Sequence, residues 1–368
     1  MTDAVHVVVQ SGGKLIGQGQ YGCIFSPPLI CRGNTKPRSS AKSNKLGKMT
    51  ELSDIKNEIS ASKVLGRFPD SIKYCILADL TSFCKPAPMS KQKENGLKNC
   101  DALDEFGSEN MMQYELEYGG KTLKVRLQTT DVPLSFPFFR FMDEFLEIGA
   151  YLVLHGCIHN DLHANNIVLK DNYTPRLIDF GRSYIYTAID KDAVQELAGV
   201  KYNASLSQIP PEITAHHGVN SGIAMETIIL DLYSEKTGLL YAERFLGMRR
   251  AAQLVDLNDF WKSSRAVQSE DWVSFYKLYW PVVDSWAIGY NLISILKRLL
   301  LSKQFAESKE WIQKQAVVKS VLRGLLQASP RKRIDPVEAL AMYDPMNALV
   351  SSASGKAWLD KKIGSRQT

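Results

Sequence analysis

Two short apolar runs joined through a turn constrain this chain more tightly than any other feature. Ile167-Val168-Leu169 closes a polar loop, His159-Asn160-Asp161-Leu162-His163-Ala164-Asn165-Asn166. A second run, Arg176-Leu177-Ile178, leaves the turn residues Thr174-Pro175 and enters Asp179-Phe180-Gly181. Runs this short, aliphatic and bounded by Asn, Pro and Gly read as the strands of a hairpin. Asp179 follows Asn166 by thirteen residues, so a short hairpin separates two clusters of polar groups.

The segments around this hairpin set its context. Phe138, Phe141, Phe145, Ile148 and Leu152 recur at spacings of three and four, which predicts a long amphipathic helix ending at His155 and Gly156. The N-terminal region reads as strands and tight turns. Residues 5–10 are β-rich, Lys14-Leu15-Ile16 precedes a glycine-rich turn, and Cys23-Ile24-Phe25 follows it before Pro27 and Pro28. Residues 32–48 hold six basic residues and no acid, as in a solvated loop. Ser53 is expected to cap a helix that carries Glu58. Residues 85–110, polar and lysine-rich, read as a surface insertion between strands. The C-terminal half is mostly helical by periodicity, there is no internal repeat, and residues 341–368 read as a basic tail with weak structure.

Composition excludes several classes. A chain of 368 residues with 45% hydrophobic content can bury a core of two domains or two lobes. Its net charge of +6 favours anionic partners only mildly, so no specific nucleic-acid binding is expected. The six cysteines, at 23, 31, 75, 84, 100 and 157, form no C-x-x-C pair and no zinc spacing. Reduced structural thiols in a reducing compartment are the simplest reading. No apolar stretch approaches the roughly 18 residues of a membrane span, and the N-terminus lacks the pattern of a signal peptide. The expected location is the cytoplasm, or a virion if the source is viral.

The chemistry-bearing motifs narrow the reading. Gly17-Gln18-Gly19-Gln20-Tyr21-Gly22 has G-x-G-x-x-G spacing, where absent side chains let backbone amides approach phosphate oxygens. Here it runs on into a strand, unlike a dinucleotide-binding loop. With the 159–166 loop and Asp179-Phe180-Gly181, the chain resembles the eukaryotic-like protein kinase superfamily. The resemblance extends to Pro210-Pro211-Glu212, to Asp284-Ser285-Trp286-Ala287-Ile288-Gly289 and to Arg333, and so runs from Leu15 to about Leu340. It implies an α+β, bilobal fold with a small β-rich lobe at 1–117 and a larger helical lobe at 118–340, the active site lying in the cleft between them.

The resemblance also implies roles. Asp161 would be the base facing the acceptor hydroxyl, Asn166 and Asp179 the magnesium ligands, and Gly17, Gly19, Tyr21 and Gly22 the flap over ATP. Two lysines compete for the phosphate-binding role, Lys45 and Lys48. Lys48 is preferred, with Glu58 as its partner. Glu115, Glu117 and Tyr118 would form the hinge at adenine, and Glu212 and Arg333 a buried structural ion pair. The acceptor implied is a protein serine or threonine, with Ser207-Gln208-Ile209-Pro210 lining its pocket.

Departures from the family pattern matter. Asn160 replaces the arginine that receives an activation-loop phosphate, so activity without that phosphorylation is expected. His163 replaces a lysine that neutralises the transferred phosphoryl group. An H-x-D-x-H-x-x-N loop also resembles small-molecule kinases of the aminoglycoside and choline type, and divergent kinases of large DNA viruses. A catalytically silent kinase-fold binding or virion-structural protein is the other alternative. An insertion at about 213–283 could contact substrate or a partner, or serve packing.

Overall fold

In the computed structural model, the N-terminal strands form one antiparallel sheet in sequence order: β1 (Lys14–Gly19), β2 (Gly22–Ser26), β3 (Lys45–Glu51) and β4 (Met111–Glu117). The structure describes residues 13–19, 22–33, 44–92, 95–128 and 136–367. The β-rich reading of residues 5–10, most of the basic loop and Tyr21 of the flap lie outside them. The chain divides into two units. Residues up to Gly119 together with Ile178–Arg182 form one, and Gly120–Leu177 with Ser183–Thr368 form the other. The class is mixed α+β.

The first unit is built on the period of two in its strands. Cys23 and Phe25 on β2 alternate inward and pack with Met49, Met111 and Leu29. Leu97, Cys100 and Ala102 belong to the same core. This corrects the reading of residues 85–110 as surface: abundant lysine masked three buried apolar positions. The cysteine reading is corrected as well. Cys23 is bonded to Cys100 and Cys31 to Cys84, which leaves Cys75 and Cys157 as buried thiols among the described residues. The partners lie 77 and 53 residues apart, and only tertiary packing brings them together. Disulfides persist in oxidising surroundings, so the expectation of a reducing compartment loses its basis.

Helix α1 (Leu52–Leu65) follows β3 with no intervening loop. Its N-cap is Glu51, and the expected cap, Ser53, lies inside the first turn. Ile55, Glu58, Ala61, Ser62 and Leu65 are buried on one face, as spacings of three and four require.

In the second unit, α2 (Phe138–Leu154) ends at His155 as the periodicity predicts. The hairpin forms from β6 (Ile167–Leu169) and β7 (Pro175–Leu177), with β5 (Lys121–Thr122) at its side. Cys157–Ile158 pairs separately with Tyr184–Ile185. The region read as an insertion, about 213–283, is helical: α3 (Pro211–Asn220), which begins just before it, α4 (Met225–Glu235), α5 (Thr237–Leu246), α6 (Arg250–Ser263) and α7 (Trp272–Tyr279) precede α8 (Val283–Leu299). The C-terminal tail, expected to be weakly structured, ends in α9 (Ala353–Gln367). Trp358 anchors it, donating to Asp335 Oδ2 at 3.0 Å and packing edge-on against Trp280, while Lys362 reaches the same carboxylate at 3.2 Å. Among the described residues no helix is long and apolar enough to cross a membrane.

Candidate active site

Lys48 is the centre of the first unit's polar cluster. Its position on β3 sets it opposite Tyr114 of β4, and its Nζ lies 2.8 Å from Glu58 Oε1 and 2.7 Å from Asp179 Oδ1. Burial works against the ammonium charge, yet Asp179 and Glu58 outweigh it and hold the Lys48 pKa well above its ordinary value. Lys45, the other candidate, pairs instead with Asp79 at 2.9 Å and Glu115 at 3.2 Å.

Two further residues complete this cluster, and sequence reasoning missed both. The buried Tyr114 hydroxyl donates to Glu58 Oε1 at 2.6 Å, fixing the carboxylate that faces Lys48. Asn57, next to Glu58 on α1, donates from Nδ2 to the Gly181 carbonyl at 2.9 Å and so holds the Asp179-Phe180-Gly181 turn. Alternation along β4 marks Tyr114 as inward-facing, but no local signal identifies its partner. Asp179 has φ of 67°, a left-handed conformation that a non-glycine residue adopts at a cost.

The hinge candidates divide. Glu115 is buried and tied to Lys45, and its carbonyl accepts from the Asp79 amide at 3.0 Å. The Tyr118 amide donates to the Asn44 carbonyl at 2.9 Å, and Glu117 is exposed at the end of β4. Of the flap glycines, Gly22 has a steric reason: a Cβ there would lie 2.2 Å from the Met49 carbonyl oxygen. Gly19 has nothing within 4 Å, and a Cβ on Gly17 would meet only Ile24 at 4.0 Å. The fold therefore does not require glycine at 17 or 19.

No family model matches the chain, and no curated protein matches it. The chemistry must be read from the residues.

In the second unit, α8 organises the polar loop from below. The Asp284 carboxylate accepts the amides of His159 and Asn160 at 2.7 and 2.9 Å, and Asn291 Nδ2 donates to the Leu162 carbonyl at 2.8 Å. Burial pushes the Asp284 pKa up, with the His159 interaction opposing. Asn160 has φ of 61°, a conformation that asparagine tolerates better than most residues. Asn166 Nδ2 donates to the Asp161 carbonyl oxygen at 2.9 Å and to its carboxylate at 3.3 Å. That use of the nitrogen leaves Oδ1 as the atom this side chain would offer a cation. His163 Nδ1 accepts the Asn165 amide at 3.2 Å, which places the neutral ring's proton on Nε2, 3.6 Å from Asp161 Oδ2.

Among the described residues, no three His, Cys, Asp or Glu side chains gather into a metal-holding group. Magnesium needs fewer, because it is commonly held by one or two carboxylates together with substrate phosphates and water. In the first unit Asp179 is a carboxylate of this donor class, and in the second Asn166 offers an amide oxygen of it. The Glu212–Arg333 pair is formed, fully buried and bidentate, at 2.7 and 2.6 Å.

Proposed function

We propose that the chain is an ATP- and magnesium-dependent phosphotransferase of the protein-kinase type acting on serine or threonine hydroxyls of proteins. The observation that carries this reading is Lys48, its side chain only 12% exposed, held between Glu58 and Asp179. A lysine fixed by one carboxylate and directed toward a second is the arrangement phosphate positioning needs. The loop supports it further, with Asp161 oriented through Asn166 and flanked by the His163 Nε2 proton.

In this reading Lys48 positions the α- and β-phosphates, and Asp179 and Asn166 would hold magnesium, which neutralises charge on the β- and γ-oxygens. Asp161 accepts the hydroxyl proton, and His163 donates toward the transferred group. Gly17 and Gly19 leave room for backbone amides to close on the phosphates. Replacing either with alanine should leave thermal stability unchanged and weaken magnesium-ATP binding about tenfold by calorimetry. Gly22→Ala should instead destabilise the chain, by about 1–3 kcal/mol, through the clash with β3. Equal stability losses at all three positions would remove the flap role.

The decisive experiment supplies radiolabelled ATP with magnesium and offers protein and small-alcohol acceptors side by side. Phosphoserine or phosphothreonine on protein is the expected product. Label confined to a small alcohol would favour the aminoglycoside-type alternative, and no label on any acceptor would favour a silent binding protein.

A further inference from the structure

The inserted helices contribute three consecutive residues, Lys236, Thr237 and Gly238, to one short segment ahead of α3. Lys236 is 1% exposed, and its Nζ donates to the Leu206 carbonyl at 2.8 Å and to Thr214 Oγ1 at 2.9 Å. The Thr214 hydroxyl in turn donates to the Pro210 carbonyl at 3.1 Å. The Thr237 and Ser207 hydroxyls share a hydrogen bond, and Trp286 Nε1 donates to the Ser207 carbonyl at 2.8 Å. Gly238 permits this approach, because a Cβ there would lie 2.7 Å from the Trp286 ring. Residues 206, 207 and 210 are thus held by side chains from α3, α8 and the junction before α5.

A buried lysine is a costly way to achieve packing. Its two oxygen partners are neutral, and the nearby Glu212 is committed to Arg333. Burial pulls the Lys236 pKa down to about 7, with Glu212 opposing that shift and Arg333 adding to it. An apolar side chain of similar length would fill the same space without desolvating an amine. What lysine adds is a set of directed donors at the end of a long stem.

We propose that Lys236 and Thr237 form a built-in latch that holds Leu206–Pro210 ready to seat a peptide acceptor, in place of the phosphate-to-arginine contact that Asn160 cannot make. The inference rests on the phosphotransferase reading and gives the inserted region a role in it, with Lys236 a positioning residue. Such segments are otherwise ordered by phosphorylation. The latch makes the segment ready in the unmodified chain.

The test compares the full chain with Lys236→Met and Thr237→Val, using hydrogen–deuterium exchange and steady-state kinetics on dephosphorylated casein. Amides of residues 205–209 should exchange about tenfold faster in Lys236→Met, and the KM for casein should rise about tenfold, while the KM for ATP stays unchanged. Thr237→Val should move both in the same direction by less, and it decides the matter if the lysine variant does not fold. Unchanged exchange in these variants, or an equal rise in both KM values, overturns the latch while phosphotransfer itself stands. A wild-type chain that transfers no phosphate to protein overturns the functional reading and acceptor seating with it.

Discussion

Asp179→Asn should abolish magnesium-dependent ATP binding in a chain that still folds, whereas Asp161→Asn should bind the nucleotide normally and transfer almost no phosphate. The asymmetry follows from what each carboxylate touches. Asp179 is the carboxylate the proposed cation requires, and an asparagine there supplies a weaker, neutral oxygen. Folding should survive because Lys48 keeps its 2.8 Å contact with Glu58, which Tyr114 continues to orient, and because Asn57 still holds Gly181. Asp161 has no phosphate to hold, so its loss falls on proton removal, worth roughly 10²–10⁴-fold in rate. Thermal shift with and without magnesium separates the two, since a ligand at 100 times its Kd adds about 2.7 kcal/mol to stability. An Asp179→Asn chain that retained the wild-type shift, or an Asp161→Asn chain that lost it, would contradict the assignment.

How much of this was legible in the sequence depends on the range of the interaction involved. The hairpin of β6 and β7 and the helix α2 follow from local periodicity, which residues 138–177 display without ambiguity. Glu212 and Arg333 could be paired only through the resemblance, being 121 residues apart. Lys48 could be preferred over Lys45 but not separated from it, because both lie on β3 and the distinction is which carboxylate each reaches. Asn57 and the latch residue Lys236 carried no signal, and alternation along β4 marked Tyr114 as inward-facing without identifying its partner. Each acts through hydrogen bonds to a distant segment, one each for Tyr114 and Asn57 and two for Lys236, and nothing in the neighbouring sequence announces the partner. The disulfides escaped for the same reason. The errors at 85–110 and 341–368 have a different origin: a mainly polar composition concealed a few anchoring residues, Leu97 and Ala102 in one case and Trp358 in the other.

The buried Glu212–Arg333 pair should show the largest stability effect in the molecule, and the two single substitutions should differ. Both side chains are fully excluded from solvent. Arg333 also donates to the carbonyls of Gln327 at 2.8 Å and of Val282 and Ala328 at 3.2 Å each. Arg333→Met therefore strands a carboxylate and several carbonyls, and removing one partner of a buried pair costs about 3–5 kcal/mol. Glu212→Gln leaves the guanidinium its carbonyl partners and one amide oxygen, so its cost should be smaller. The double variant should be less damaged than the sum of the singles, because neither charge is then left alone. Lys236 offers an independent check. Its pKa, lowered to about 7 from 10.5, means that the unfolded chain binds a proton across that window which the folded chain does not. Through this group, stability should accordingly rise as pH increases from about 7 toward about 9, below the range in which the buried Cys75 thiol and the buried tyrosines act with the opposite sign. The rise should vanish in Lys236→Met and shrink in Arg333→Met, where the guanidinium no longer repels the ammonium. Urea unfolding of the five chains across this pH range measures all of these quantities. Strictly additive losses, or an unchanged pH slope in Lys236→Met, would show that the three groups do not act on one another as their burial and separation require.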